Sequence, residues 1–226
     1  MRLQNLFFLI FLIILSCNNN RRDSATPADI HADSTAEDLQ NIIQEPVLPD
    51  TIIDASYTFD EAVEYSEAPE EIISQLELVD VYYISTDGKI HKGQVVTNRQ
   101  IANDIKEIFS FMLDEGFVIE KAIPIVKYGW NDSLSMADNN SYSFCYRNIS
   151  YSKHATGMAI DINPRFNPLR WKNIDRPNTP AGAVLDTTVN GTLYPGHIVV
   201  NEFRRLGFRW GHTFTKYYDD HHFEKR

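Results

Sequence analysis

Residues 152–163, Ser-Lys-His-Ala-Thr-Gly-Met-Ala-Ile-Asp-Ile-Asn, constrain this chain more than any other stretch. His154 and Asp161 stand seven residues apart, with Gly157 between them. Met158 to Ile162 has strand character: Met158, Ile160 and Ile162 point to one face, Ala159 and Asp161 to the other. The apolar set commits its face to a core, so Asp161 leaves the sheet on the opposite side. His154 lies in the turn before this strand, and Gly157 lets the chain fold close.

The second informative stretch is Tyr218-Asp219-Asp220-His221-His222-Phe223-Glu224. It predicts a short terminal strand in which Phe223 enters the core and His222 turns the other way. Two imidazoles and one carboxylate suit zinc, and a catalytic zinc site keeps one position for water. His154, Asp161 and His222 supply that donor set and leave the ion net positive, which favours ionising a bound water near neutral pH. Asp219, three residues before His222, has a natural separation for a general base beside the metal. Arg147 offers a planar donor fork to a substrate carboxylate or a developing oxyanion.

Rival residues stand beside each of these. His221 competes with His222, and Asp220 and Glu224 compete with Asp219. Strand alternation puts Glu224 on the same face as His222, where it can orient that ring. His91, His197 and His212 are further histidines without a pattern. Cys145, close to Arg147, is a candidate nucleophile, but no histidine is patterned to serve it.

The scaffold around these stretches reads as mixed. Leu78 to Ile84 and Lys89 to Val96 flank Asp87-Gly88, which predicts a hairpin. Ile101, Ile105, Ile108 and Met112 fall at helical spacing, with Gly116 as a stop. Ala122 to Val126 reads as a short strand interrupted by Pro124. Asp132 to Ser150 and Asn167 to Leu193 read as loops. Gly196 to Leu206 predicts a helix carrying Val199, Phe203 and Leu206 on one face, stopped by Gly207. The expected fold is α+β, a small antiparallel sheet with helices packed around it.

The chain has 226 residues and is 43% hydrophobic, enough for one domain and a tail. Its net charge of -10 is unevenly spread. Residues 23–88 hold 17 acids and no Lys or Arg, whereas residues 89–226 hold 18 basic residues against 14 acids. No basic and aromatic run points to nucleic acid, and two cysteines exclude a disulfide framework.

Leu6 to Leu15 is an unbroken apolar run. Ten helical residues span only about 15 Å, half a bilayer core, so the run predicts an export signal over residues 1–16. Ile14-Leu15-Ser16-Cys17 resembles the bacterial lipoprotein signal, in which the cysteine is lipidated. Residues 17–67 then form an acidic tether and an N-terminal arm. Within it, Phe59 to Ser66 reads as a short helix or ordered arm. Residues 68–226 form the folded domain.

Three motifs together carry a family resemblance: Ser-x-His-x-x-Gly-x-Ala-x-Asp (Ser152 to Asp161), Gly-Phe-x-Trp-Gly (Gly207 to Gly211) and Asp-x-x-His-Phe-Glu (Asp219 to Glu224). The region from Pro69 to Arg226 resembles the D-alanyl-D-alanine carboxypeptidase family of zinc peptidases. That family includes VanY-type carboxypeptidases and L-alanyl-D-glutamate endopeptidases, with a domain similar to the hedgehog fold. The resemblance implies one zinc on His154, Asp161 and His222, and Asp219 as the base. It implies Arg147, Ser152 and Trp210 as substrate contacts. It favours His222 over His221, and the run Ser135 to Asn140 is expected to shape the cleft. The chain departs from many members in having His221 before the last ligand, and from some in having Asp rather than Glu as the base.

The implied activity is hydrolysis of a peptide bond in peptidoglycan stem peptides by a monomer in the bacterial envelope. Anchored to a membrane through Cys17, its domain would face the periplasm. A zinc-stabilised module that binds wall peptide without cutting it is the alternative, and an amidase acting on another wall bond is a third reading.

Overall fold

The computed structural model describes residues 50–149 and 151–225. The chain divides into two units, Met1–Glu45 and Pro46–Arg226, and the described residues lie in the second. The export signal, Cys17 and the tether up to residue 49 lie outside them. Among the described residues no helix is long and apolar enough to cross a membrane.

The expected hairpin is the longest feature. Strand β2 (Leu76–Ile84) pairs antiparallel with β3 (Ile90–Asn98), with Ile84 opposite Ile90. From Val79 onward β2 alternates, so Val79, Val81 and Tyr83 are buried. Helix α3 (Ala102–Asp114) lays Ile105, Ile108, Phe109 and Met112 into the same core. Helix α5 (Ile198–Arg205) adds Val199, Val200 and Phe203. Both helices follow the predicted periodicity because each has one apolar stripe to bury in this core.

The arm belongs to the folded body from residue 50 onward. Strand β1 (Ile52–Ile53) runs parallel to β3, with Ile52 opposite His91. His91 Nδ1 lies 2.8 Å from Asp54 Oδ2, and the Tyr83 hydroxyl donates to the same oxygen. Helix α1 (Phe59–Ala62) is closed by a Thr58–Glu61 capping box, and α2 (Glu70–Ile73) follows Pro69. Residues 50–67, grouped with the tether by their acidity, are therefore held by backbone pairing and by a histidine clamp that composition does not reveal.

Three local expectations are corrected. The strand expected over Ala122 to Val126 is only β4 (Lys121–Ala122), followed by a 3-10 turn at Ile125–Tyr128. Pro124 has no N–H to continue the ladder. The stretch from Asp132 is not all loop. It opens with helix α4 (Asp132–Ala137), capped by Asn131, whose side chain accepts from Leu134 N, and continues into β5 (Asn140–Ser141), which pairs with β4. The long loop after Asn167 contains β7 (Leu169–Trp171).

The fold is α+β as expected, and among the described residues its strands divide among four small sheets. The sheet that matters most for function is antiparallel, in the order β6 (Ala159–Asp161), β10 (His222–Glu224), β8 (Arg209–Trp210). A two-stranded ribbon of β7 and β9 (Tyr217–Asp219) lies beside it in sequence. Phe223 of β10 stacks on Phe203 of α5, ring centroids 3.7 Å apart, which ties this sheet to the main core.

Candidate metal centre

Strand register brings the first two polar groups together. His222 pairs directly with Asp161, and Phe223 with Ile160. The apolar pair faces the core, and the polar pair faces the opposite side. A slip of one residue would exchange the two faces, so burial of Ile160 and Phe223 also fixes where His222 points.

His154 arrives from a 3-10 turn, Lys153–Thr156. Gly157 ends that turn at φ 67, and a Cβ there would stand 2.7 Å from Asn98 N. Only glycine allows both the left-handed conformation and this approach to the end of β3. Its carbonyl accepts from Asn98 N at 3.0 Å and from Thr97 Oγ1 at 3.0 Å.

Three ligand atoms converge. His154 Nε2 lies 3.1 Å from Asp161 Oδ1 and 3.0 Å from His222 Nδ1, and His222 Nδ1 lies 3.0 Å from Asp161 Oδ1. All three side chains are buried. Their other contacts set the tautomers. His154 Nδ1 donates to the Ser143 carbonyl at 2.6 Å, and His222 Nε2 faces Glu224 Oε2 at 3.3 Å. In their neutral forms with these contacts, both rings turn a lone pair toward Asp161 Oδ1. Three acceptors then meet at one point, and either a proton on a ring or a metal ion between them relieves it. Ligands about 2.0–2.1 Å from a tetrahedral zinc stand about 3.3 Å apart, close to this triangle, and the two-imidazole, one-carboxylate donor set is of the kind zinc takes. The residues present fit the ion.

The electrostatics agree. Burial works to raise the Asp161 pKa, but the charges of His154 and His221 and hydrogen bonds from His154 and His222 hold it well below its ordinary value. Burial opposes ionisation of His222, yet hydrogen bonds to Asp161 and Glu224 outweigh it and push its pKa up to about 10. The site attracts positive charge, whether as protons or as metal.

Asp219 ends β9, on the far side of a two-residue turn from His222. Its Oδ1 is buried and makes no hydrogen bond among the described residues. His221 Nε2 stands 2.9 Å from that atom as an ion-pair neighbour, and 3.8 Å from Asp161 Oδ2. The Asp219 carboxylate is thus held beside the ligand group by an ion pair with His221.

The rivals separate cleanly. Asp220 is 1% exposed and fully engaged: Oδ1 lies 2.6 Å from His212 Nδ1, and Oδ2 takes Arg170 Nε at 2.9 Å and Nη2 at 2.8 Å. His221 Nδ1 donates to the Asn167 carbonyl at 2.8 Å, and this ring lies outside the three-ligand group. Glu224 supports His222, as strand alternation predicted, and pairs with Arg209 at 3.5 Å. His197 caps α5, and His91 clamps the arm. Burial raises the Cys145 thiol to about 11, which removes the thiolate a nucleophile needs.

A cleft of about 550 Å³ opens over the site, lined by Arg147, Ser152, His154, Asp161, Asp219 and His222 among others. Met136, from the run expected to shape the cleft, also lines it. Trp210 does not, and the expectation of a substrate contact there is corrected. It is 1% exposed, donates its indole N–H to the Asp220 carbonyl, and stacks on His212 at 4.4 Å. As the neighbour of Phe223 across β8 and β10, it faces the core.

Sequence reasoning missed Asp132 and Tyr142. Asp132 pairs with Arg147 at 3.1 Å, and the Tyr142 ring lies 5.2 Å from that of His154. The cap signal Asn131-Asp132 could have marked a helix start there. Nothing local linked it to Arg147.

Fold and site together have the character of a metallopeptidase centre: a buried His-Asp-His group in a cleft, with the Asp219 carboxylate lining the same cleft. Residues 147–225 match the model of the D-alanyl-D-alanine carboxypeptidase family, which bears out the resemblance read from the motifs and supports a peptidase role. The match takes in Arg147, Ser152, His154, Asp161, Asp219 and His222, and leaves Asp132 and Tyr142 outside. Comparison with curated proteins and with solved structures found no match.

Proposed function

We propose that this chain is a zinc peptidase that hydrolyses a peptide bond in peptidoglycan stem peptides, held to the bacterial envelope through Cys17 and acting on the periplasmic side. The observation that carries the reading is the pairing of the converging His154, Asp161 and His222 ligand atoms with the Asp219 carboxylate in one cleft. A binding module has no need of that second carboxylate.

His154, Asp161 and His222 would hold the ion. The chemistry zinc supplies in such a site is polarisation of the scissile carbonyl and acidification of the attacking water. Asp219 Oδ1 accepts the proton of that water and returns it to the leaving amine. Arg147 donates to negative charge on the substrate from the cleft wall. Glu224 holds the His222 ring in place, and the Ser143 carbonyl does the same for His154. A cleft of this volume accommodates a short peptide segment.

Digestion of purified peptidoglycan, read by mass spectrometry, tests the proposal. Loss of terminal D-Ala identifies a carboxypeptidase, and a cut between L-Ala and D-Glu identifies an endopeptidase. Zinc-loaded protein that binds wall peptide and releases nothing would instead be a binding module.

A further inference from the structure

Arg147 is held by residues outside the zinc ligands, the base and the matched segment. Its Nη2 lies 3.1 Å from Asp132 Oδ2 and donates to the Tyr142 hydroxyl oxygen at 3.4 Å. Tyr142 donates its own hydroxyl to Asp132 Oδ1. Carboxylate, phenol and guanidinium thus form a closed network of three.

Each anchor of the network is rigid. Asp132 stands in the first turn of α4, where Asn131 caps the helix. Tyr142 is 2% exposed, and its backbone exchanges both hydrogen bonds with Asp161, at 2.9 Å and 3.2 Å. The segment that carries the phenol is therefore paired to the strand that carries a metal ligand. Arg147 Nη2 makes both oxygen contacts, while its Nε is buried and makes no hydrogen bond among the described residues. Asp132 and Arg147 both line the cleft.

We propose that Asp132, together with Tyr142, is the positioning residue that aims Arg147 at the substrate. A free arginine side chain samples many rotamers, and fixing one end of its fork on a rigid carboxylate removes that freedom before substrate binds. The remaining donors then meet negative charge on the bound peptide without reorganising. What Arg147 meets rests on the peptidase reading above; how Arg147 is held rests on the geometry alone.

The test uses the zinc-loaded full chain with Asp132→Ala, Arg147→Ala and the double variant, measuring kcat and KM separately on stem peptides from purified wall. Asp132→Ala is expected to lower kcat/KM by about 10-fold or more with zinc content unchanged. In the Arg147→Ala background the same change is expected to cost less than about twofold, because its effect passes through the arginine. Asp132→Glu, which keeps the charge, is expected to recover part of the loss. Losses that multiply in the double variant, or wild-type kinetics in Asp132→Ala, would overturn the proposal.

If the wild-type protein cleaves no wall peptide, the peptidase reading fails, and nitrogen-15 NMR of the Arg147 guanidinium decides the positioning claim. Slow rotation about Nε–Cζ that becomes fast in Asp132→Asn upholds it. Equal rotation in the two proteins overturns it. The same measurement serves if Asp132→Ala folds poorly, since Asp132→Asn preserves the side-chain shape.

Discussion

Gly211 packs against Asp219 so closely that a Cβ on the glycine would stand 2.7 Å from the Asp219 Cβ and 3.2 Å from the His222 Cβ. The glycine that closes the Gly-Phe-x-Trp-Gly motif therefore sets the spacing between the proposed base and a proposed ligand. Gly211→Ala should displace that turn, cost about 1–3 kcal/mol by overpacking, and reduce turnover more than the stability loss alone accounts for. Thermal melts and kinetics on the same preparation check this. A variant with normal turnover would show that the turn tolerates the shift.

His222→Ala should weaken zinc binding far more than His221→Ala. Only His222 contributes an atom to the converging triangle, while His221 contacts Asp219 and the Asn167 carbonyl. Competition titration against a chelator of known affinity measures both. The reverse order would reassign the ligand.

Asp219→Asn should retain zinc and fold and lose about 10²–10⁴-fold in turnover, the usual range for a general base. Asp220→Asn should behave differently. Its carboxylate joins Arg170 and His212 and is 1% exposed, so stability should fall with it. Metal analysis, melting and kinetics on both variants separate the roles. Full activity in Asp219→Asn would remove it as the base.

The metal-free protein should lose stability in alkali. Burial opposes charge on His221 and His222, but carboxylates outweigh it: Asp219 and Asp161 raise His221 to about 9, and Asp161 and Glu224 raise His222 to about 10. Both values exceed that of an unfolded histidine, about 6.5. The folded state holds these protons more tightly, so the stabilisation is fully present below pH ~6.5 and is lost as pH rises through 9 and 10. Zinc bound by the three ligands would take the place of the His222 proton, and its affinity should fall as acid competes for the ligands. Melting curves with chelator and with zinc, across pH 6 to 10, test both statements. Chelated protein that melts higher at pH 10 than at pH 6 would contradict the first.

The sequence by itself determined what depends on neighbours along the chain. The β2–β3 hairpin, α3 and α5 follow from local apolar periodicity, which each element needs in order to bury one face. The identity of His154, Asp161 and His222 as a donor set was legible because zinc chemistry restricts residue types and the motifs repeat a known order.

Tertiary structure decided between adjacent candidates. Asp219 and Asp220 are chemically identical in the sequence; Arg170 and His212, brought in from other segments, engage Asp220, while Asp219 lines the cleft. His221 and His222 were parted by the register of β10 on β6, which pairs His222 with Asp161 and brings His222, not His221, into the three-ligand group. Trp210, taken as a substrate contact, became core because β8 sits beside Phe223. The link from Asp132 to Arg147 left no mark in any pattern, because the two lie fifteen residues apart across a short helix and a turn. Residues 50–67 look like tether by composition, yet one strand pairing and the Asp54–His91 contact hold them to the domain. In each case the deciding interactions join segments apart in the chain, and such contacts have no period from which a sequence could announce them.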